Sequence, residues 1–239
     1  MKKILIVLAA LVLAGFGFWF LTERKSPATI GSDSGQIKTP HFETSTPAHG
    51  DTLAAPPVNV VIDFNFDLAL PSSIAIFKKG IDEPVYQNGE MVIDESKVAM
   101  RVNAKQEMPD GDYIVKYTAC WPDQTCHDGR FEFAIDRTLV AAFIDLRGKP
   151  EVAIRMSEIR FQPMDIRISP GTTILWTNDD DVTHYVNTDS HPAHTYFPSQ
   201  NSRAIEKGQT YTATFTDSGI YPYHCSAHAS VMTGSILVE

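Results

Sequence analysis

Near its C-terminal end the chain reads Tyr223-His224-Cys225-Ser226-Ala227-His228-Ala229-Ser230-Val231-Met232-Thr233-Gly234. A thiol, an imidazole and a thioether therefore share one short stretch. About forty residues upstream stands His184, within Val182-Thr183-His184-Tyr185-Val186. One cysteine sulfur and two imidazoles in a trigonal plane, with a weak methionine on the axis, form a blue-copper site. Soft sulfur suits Cu(I) and imidazole suits both oxidation states, so such a site changes little as one electron arrives or leaves. Zinc also takes Cys and His, but methionine is a poor zinc ligand. Taken singly, Cys225 reads as a buried thiol, Met232 as a core filler and His228 as an ordinary polar residue. Their conjunction points to copper.

Three ligands from one short loop require strands at both of its ends, and the fourth must come from a neighbouring strand end. The surrounding sequence supplies that pattern. Ile166 and Ile168 alternate with Asp165, Arg167 and Ser169, and Ile174 and Trp176 point inward in the same rhythm. Tyr211, Ala213 and Phe215 alternate with Thr210, Thr212 and Thr214, and 219–224 and 235–238 complete the set. Ser169-Pro170-Gly171-Thr172 predicts a type II turn, with Pro presetting φ and Gly supplying a positive φ. An earlier series of β-branched and aromatic stretches runs through 58–66, 73–77, 97–102, 113–117 and 130–135. No convincing helix separates them. The prediction is an all-β protein of two β-sandwich domains, over 41–136 and 137–239, abutting without a flexible linker.

The first residues set the compartment. Met1-Lys2-Lys3 precedes an uncharged run from Ile4 to Leu21, roughly 27 Å as a helix, which is just enough to cross a bilayer. Aromatic residues gather at its far end, no A-x-A-like cleavage site follows, and charges resume at Glu23. This predicts an uncleaved signal anchor, a transmembrane helix over 1–22. A cleaved secretory signal is the alternative. Residues 23–40 are rich in Ser, Thr, Gly and Pro and read as a flexible tether. Either reading puts the bulk of the chain in the periplasm or extracellular space, where disulfides persist. Cys120 and Cys126, six positions apart, are then expected to pair, leaving Cys225 free for metal. The alternative is a thiolate copper site with His127. The net charge of −9 argues against nucleic acid as a partner.

From Val152 to Glu239 the chain resembles a cupredoxin of the plastocyanin, amicyanin and pseudoazurin kind. The resemblance rests on Phe161-Gln162-Pro163, Pro170-Gly171-Thr172, Leu175-Trp176-Thr177-Asn178, His184, Gly208-Gln209-Thr210, Gly219-Ile220-Tyr221 and Cys225 to Gly234. It implies a Greek-key sandwich holding one mononuclear copper, with His184, Cys225 and His228 as equatorial ligands and Met232 as the axial one. Three residues separate His228 from Met232 here, where many members have two or four. It implies one-electron exchange with a redox partner protein, and no enzymatic bond-making.

Residues 40–136 resemble the CopC (copper-resistance protein C) type of sandwich, through the stretch from Pro40-His41-Phe42 to Leu53 and through Gly111-Asp112-Tyr113 to Phe133. In that family a histidine at the mature N-terminus binds Cu(II), helped by another near the last hairpin. His41 and His127 match these positions and make a possible second copper site. Here His41 follows Pro40 and has no free amine if the anchor is retained, and Phe66, with Asp67 beside it, stands where the family places an acidic residue. The domain is therefore expected to keep the fold as a structural or interaction module.

A further histidine pair, His191 and His194, flanks Pro192. It reads as a surface loop, with a second copper site or a docking site as alternatives. Asp179-Asp180-Asp181 reads as a solvated turn, with a docking patch for a basic redox partner as the alternative. The function expected from all this is electron transfer by a membrane-anchored blue-copper protein. Copper capture or delivery is the first alternative, and a structural or adhesive sandwich protein the second.

Overall fold

The structure is a computed structural model that describes residues 35–84 and 86–239. The predicted anchor over 1–22 lies outside the described residues, as does most of the tether. Among the described residues no helix is long and apolar enough to cross a membrane. The end of the expected tether is not free: Ile37 exchanges both backbone hydrogen bonds with Arg130, at 2.8 and 2.9 Å, and Thr39 is buried.

The described chain is all-β, with three short 3-10 helices. In the first half, the strands Phe42–Thr46, Asn59–Phe64, Ala99–Ala104 and Gln87–Ile93 form one sheet in that order. Thr52–Leu53, Cys126–Ile135, Gly111–Cys120 and Ala69–Lys78 form the other. Alternate residues from both sheets, among them Val60, Ile62, Met100, Val115, Phe131 and Phe133, fill the space between. Cys120 and Cys126 face each other across the last hairpin and are joined in a disulfide.

In the second half, Phe161–Gln162, Glu151–Met156, Thr172–Asn178 and Thr210–Phe215 make one sheet. Asn187–Thr188, Gly219–His224, Thr233–Val238, Asp165–Ile168 and Ile144–Asp145 make the second. Ile154, Ile166, Ile174, Trp176, Phe215, Tyr221 and Ile236 lie between them. The predicted turn is present: the Thr172 N–H donates to the Ser169 carbonyl at 3.1 Å, and Gly171 has φ 88°, which a residue with a Cβ rarely adopts.

The two sandwiches meet through apolar and polar contacts. Ala54 and Ala55 pack with Ile220 and Leu237, and the Ile220 N–H donates to the Pro56 carbonyl at 3.1 Å. The wholly buried Tyr196 reaches across: its hydroxyl accepts from the Val58 N–H at 2.8 Å and donates to the Ile220 carbonyl at 2.7 Å. Asn59 Nδ2 donates to the Tyr196 carbonyl at 2.8 Å. The buried Asp63 carboxylate accepts from Thr195 Oγ1 at 2.6 Å and also from the Ser190 hydroxyl. Burial pushes the Asp63 carboxyl above its ordinary value, and the two hydroxyls pull against that rise. Substituting Tyr196→Phe keeps the ring but leaves the Val58 N–H without its partner. It should cost about 1–3 kcal/mol, read as a lower urea midpoint with an unchanged slope.

Candidate metal centre

The centre is built at one end of the second sandwich. Gly219–His224 and Thr233–Val238 are antiparallel, with Tyr223 opposite Gly234 and His224 opposite Thr233. Residues 225–232 are therefore the loop of a hairpin. Gly234 is needed at its foot, because a Cβ there would lie 2.6 Å from the Met164 carbonyl oxygen and 2.9 Å from the Tyr223 ring. The loop is pinched shut by the Cys225 N–H donating to the Met232 carbonyl at 2.9 Å. Within it, Ser226–His228 form a 3-10 turn, and the Val231 and Met232 N–H groups both donate to the His228 carbonyl, at 3.0 and 2.9 Å. The three residues between His228 and Met232 thus make one helical turn, which returns Met232 to the side of Cys225.

Side chains alternate across a strand. Tyr221 and Tyr223 face the core, and Cys225 continues that phase and is completely buried. His184 is delivered from across the sandwich, at an isolated bridge with Ile205, and is also completely buried. Cys225 Sγ lies 3.6 Å from His184 Nδ1 and 3.5 Å from His228 Nδ1. The ligand atoms of all three lie within 4.8 Å of one another. A thiolate at about 2.3 Å and an imidazole at about 2.0 Å from one ion are roughly 3.5–3.7 Å apart for angles between tetrahedral and trigonal. The observed spacings fit a shared metal. Met232 is fully buried and packs in the same core cluster as Cys225.

The surroundings orient the donors. His184 Nε2 is 2.9 Å from Asp180 Oδ2. A carboxylate only accepts, so Nε2 carries the hydrogen and Nδ1 turns its lone pair toward Cys225. Burial pushes the Asp180 carboxyl up, but the Ile159 N–H, the His184 ring and the Glu158 N–H outweigh it, and the group sits below its ordinary value. The Tyr185 N–H donates to Cys225 Sγ at 3.3 Å, which fixes the position of the sulfur. His228 is only half-buried and sits at the protein surface.

The acidic run is thereby corrected. It is not simply a solvated turn, since Asp180 orients His184, while Asp179 pairs with Arg155 and Asp181 with Lys207.

In the first domain, His41 Nδ1 is 2.9 Å from Asn65 Oδ1, and its ring stacks on Phe66 at 4.7 Å and meets Trp121 edge-on at 5.2 Å. His127 is exposed on the strand Cys126–Ile135, opposite Ala119. Among the described residues no group of three metal-capable side chains forms around either. His191 and His194 lie on an irregular loop, His191 exposed and His194 half-buried. They gather with His224, to which no sequence pattern gives a role, and the ligand atoms of the three lie within 4.8 Å of one another.

Residues 149–239 match the family described as copper binding proteins of the plastocyanin/azurin family, and residues 42–136 match the CopC domain. Amicyanin-alpha of Methylorubrum extorquens is 29% identical over 86 residues, covering 36% of this chain and 70% of that protein. Amicyanin of Paracoccus denitrificans is 26% identical over 94 residues, covering 37% of this chain and 65% of its own. Halocyanin of Natronomonas pharaonis is 37% identical over 82 residues, covering 33% of this chain and 48% of its own. A solved purple cupredoxin from Nitrosopumilus maritimus aligns over 37% of this chain and 99% of its own at 26% identity, with a TM-score of 0.33. The chain carries a CopC domain followed by a cupredoxin domain, and copper is its cofactor.

Asp180→Ala should leave every donor in place but free the His184 ring to turn. We expect copper affinity to fall roughly 10- to 100-fold, measured by competition with a chelator of known affinity.

Proposed function

We propose that this chain is an extracytoplasmic electron carrier, tethered to a membrane through residues 1–22. In it His184, Cys225, His228 and Met232 hold one mononuclear copper. The observation that carries the reading is the gathering of one thiol sulfur and two imidazole nitrogens within 4.8 Å, with Cys225 and His184 buried and His228 half-buried. Copper, when bound, supplies the one-electron couple. Cys225 and His184 exclude water from the buried side, Asp180 and the Tyr185 N–H fix the ring and the sulfur, and the loop pinched at Cys225 and Met232 resists rearrangement. Little movement on redox change means little reorganisation to overcome. His228 is the ligand nearest solvent, so the surface around it is where a protein redox partner docks. The Cys120–Cys126 disulfide supports an oxidising compartment.

A second reading, copper capture or delivery, draws on the CopC match over 42–136. The two readings part on release. An electron carrier cycles reversibly between Cu(II) and Cu(I) in voltammetry and keeps its metal. A delivery protein yields Cu(I) to a competing acceptor and cycles poorly.

Cys225→Ser should abolish the intense visible thiolate-to-Cu(II) absorption while the far-UV circular dichroism is unchanged. A spectrum identical to wild type would overturn the assignment. Met232→Leu should keep copper bound and raise the reduction potential, since losing a thioether donor stabilises Cu(II) less. An unchanged spectrum and potential would make Met232 a packing residue only.

A further inference from the structure

The hairpin strand that delivers Cys225 to one face delivers His224 to the other, because consecutive residues alternate sides. His224 is 3% exposed, covered by the segment that follows Asn187–Thr188. That segment brings His191 and His194 onto it. The three rings gather with centroids 5.1–5.5 Å apart, His191 meeting both others in T-shaped fashion.

Their outer nitrogens are held in the manner of metal-binding histidines. His224 Nδ1 is 2.9 Å from Asp189 Oδ1, and His194 Nδ1 is 3.0 Å from the Thr188 carbonyl oxygen. Ionised carboxylate and carbonyl oxygens only accept, so both Nδ1 atoms carry hydrogen and both Nε2 atoms present lone pairs. Carboxylate or carbonyl behind imidazole is the support that orients ligating histidines. On the inner side, His224 Nε2 lies 3.3 Å from His191 Nδ1, and Ser226 Oγ lies 3.0 Å from His194 Nε2. Two imidazole nitrogens about 2.0 Å from one ion at tetrahedral angles lie roughly 3.3 Å apart, so the spacing suits a shared ion. The cluster is also braced from outside. Ser190 and Thr195, which bracket its loop, are bound by Asp63 of the other domain. His191 and Asp189 line a cleft of about 260 Å³ between the domains, walled on the far side by Thr46, Pro47 and Asp51.

We propose that His191, His194 and His224 form a second mononuclear copper site, a Cu(II) site of three imidazoles. It is separate from the centre at Cys225 but joined to it through the His224–Cys225 peptide bond. Three imidazoles and no sulfur suit Cu(II), which heads the affinity order of divalent first-row metals on nitrogen ligands. With three protein ligands and an exposed His191, the ion keeps a coordination position open to the cleft.

The test loads the full chain with excess Cu(II), removes loose metal by desalting, and measures copper per chain together with the electron paramagnetic resonance spectrum. Wild type should retain two coppers with two signals, one narrowly split by the thiolate ligand and one widely split from nitrogen ligands. The double variant His191→Ala/His194→Ala should lose one copper and the wide signal, with the visible thiolate band intact. Cys225→Ser should do the reverse, losing the visible band and keeping the wide signal. Should the double variant not fold, His191→Ala alone, at an exposed position, should weaken the second copper by about tenfold or more. Retention of one copper by wild type, or of the wide signal by the double variant, would overturn the second site. So would occupation by zinc when both metals are offered together. Failure of the electron-carrier reading shows separately, as poor reversibility in voltammetry with loss of Cu(I) from the centre at Cys225.

Discussion

The bond from the Cys225 N–H to the Met232 carbonyl closes the loop on which the centre depends. It fixes the mouth of the hairpin to the width of an antiparallel pair. Inside that width a 3-10 turn and one helical turn fit end to end, so His228 lands midway and Met232 returns to the start. The ladder below, from Gly219 opposite Val238 to His224 opposite Thr233, holds the mouth rigid because its inward residues are locked in the apolar core. The donors are thus placed by backbone bonds and packing. The site is shaped by the chain itself, before any metal arrives.

Around that loop the protein uses carboxylates and carbonyls to decide which ring nitrogen is free. Asp180 does this for His184, Asp189 for His224 and the Thr188 carbonyl for His194. Each acts from behind the imidazole, so none contributes charge directly to the space where a metal sits. The two domains are joined by the same economy of means. Tyr196 satisfies one buried N–H and one carbonyl with a single hydroxyl, and Asp63 takes both of its partners from the histidine-bearing segment.

How much of this the sequence made legible follows the range of the interactions. Strands with strict alternation, such as Thr172–Asn178 and Thr210–Phe215, were readable because pleat and burial share a period of two. The loop from Cys225 to Met232 was readable because its donors are close in sequence and chemically distinctive. The strand Gln87–Ile93 was not, since its residues are mostly exposed and lack alternation. Nor was the strand Phe42–Thr46, which gains its partner from Asn59–Phe64. The role of Asp180 was hidden inside a run of identical residues. His224 was hidden by its neighbour: attention to Cys225 passes over the residue that the pleat sends the opposite way. The gathering of His191, His194 and His224 depends on a segment folded against another domain, and no local pattern encodes that.

The grip of Asp63 on Ser190 and Thr195, with the apolar contact between Ala54, Ala55, Ile220 and Leu237, bears on modularity. The cupredoxin and CopC matches fall on separate stretches of the sequence, 149–239 and 42–136. In this chain the seam between them is structural on both sides. A second half cut free at 137 would expose Ile220 and Leu237 to water and release the ends of the histidine-bearing segment. Exchanging the first domain for a different sandwich would do the same unless an acid stood where Asp63 stands. A substitution on the strand Asn59–Phe64, at Asp63 above all, therefore reaches the segment of the partner domain that carries His191 and His194.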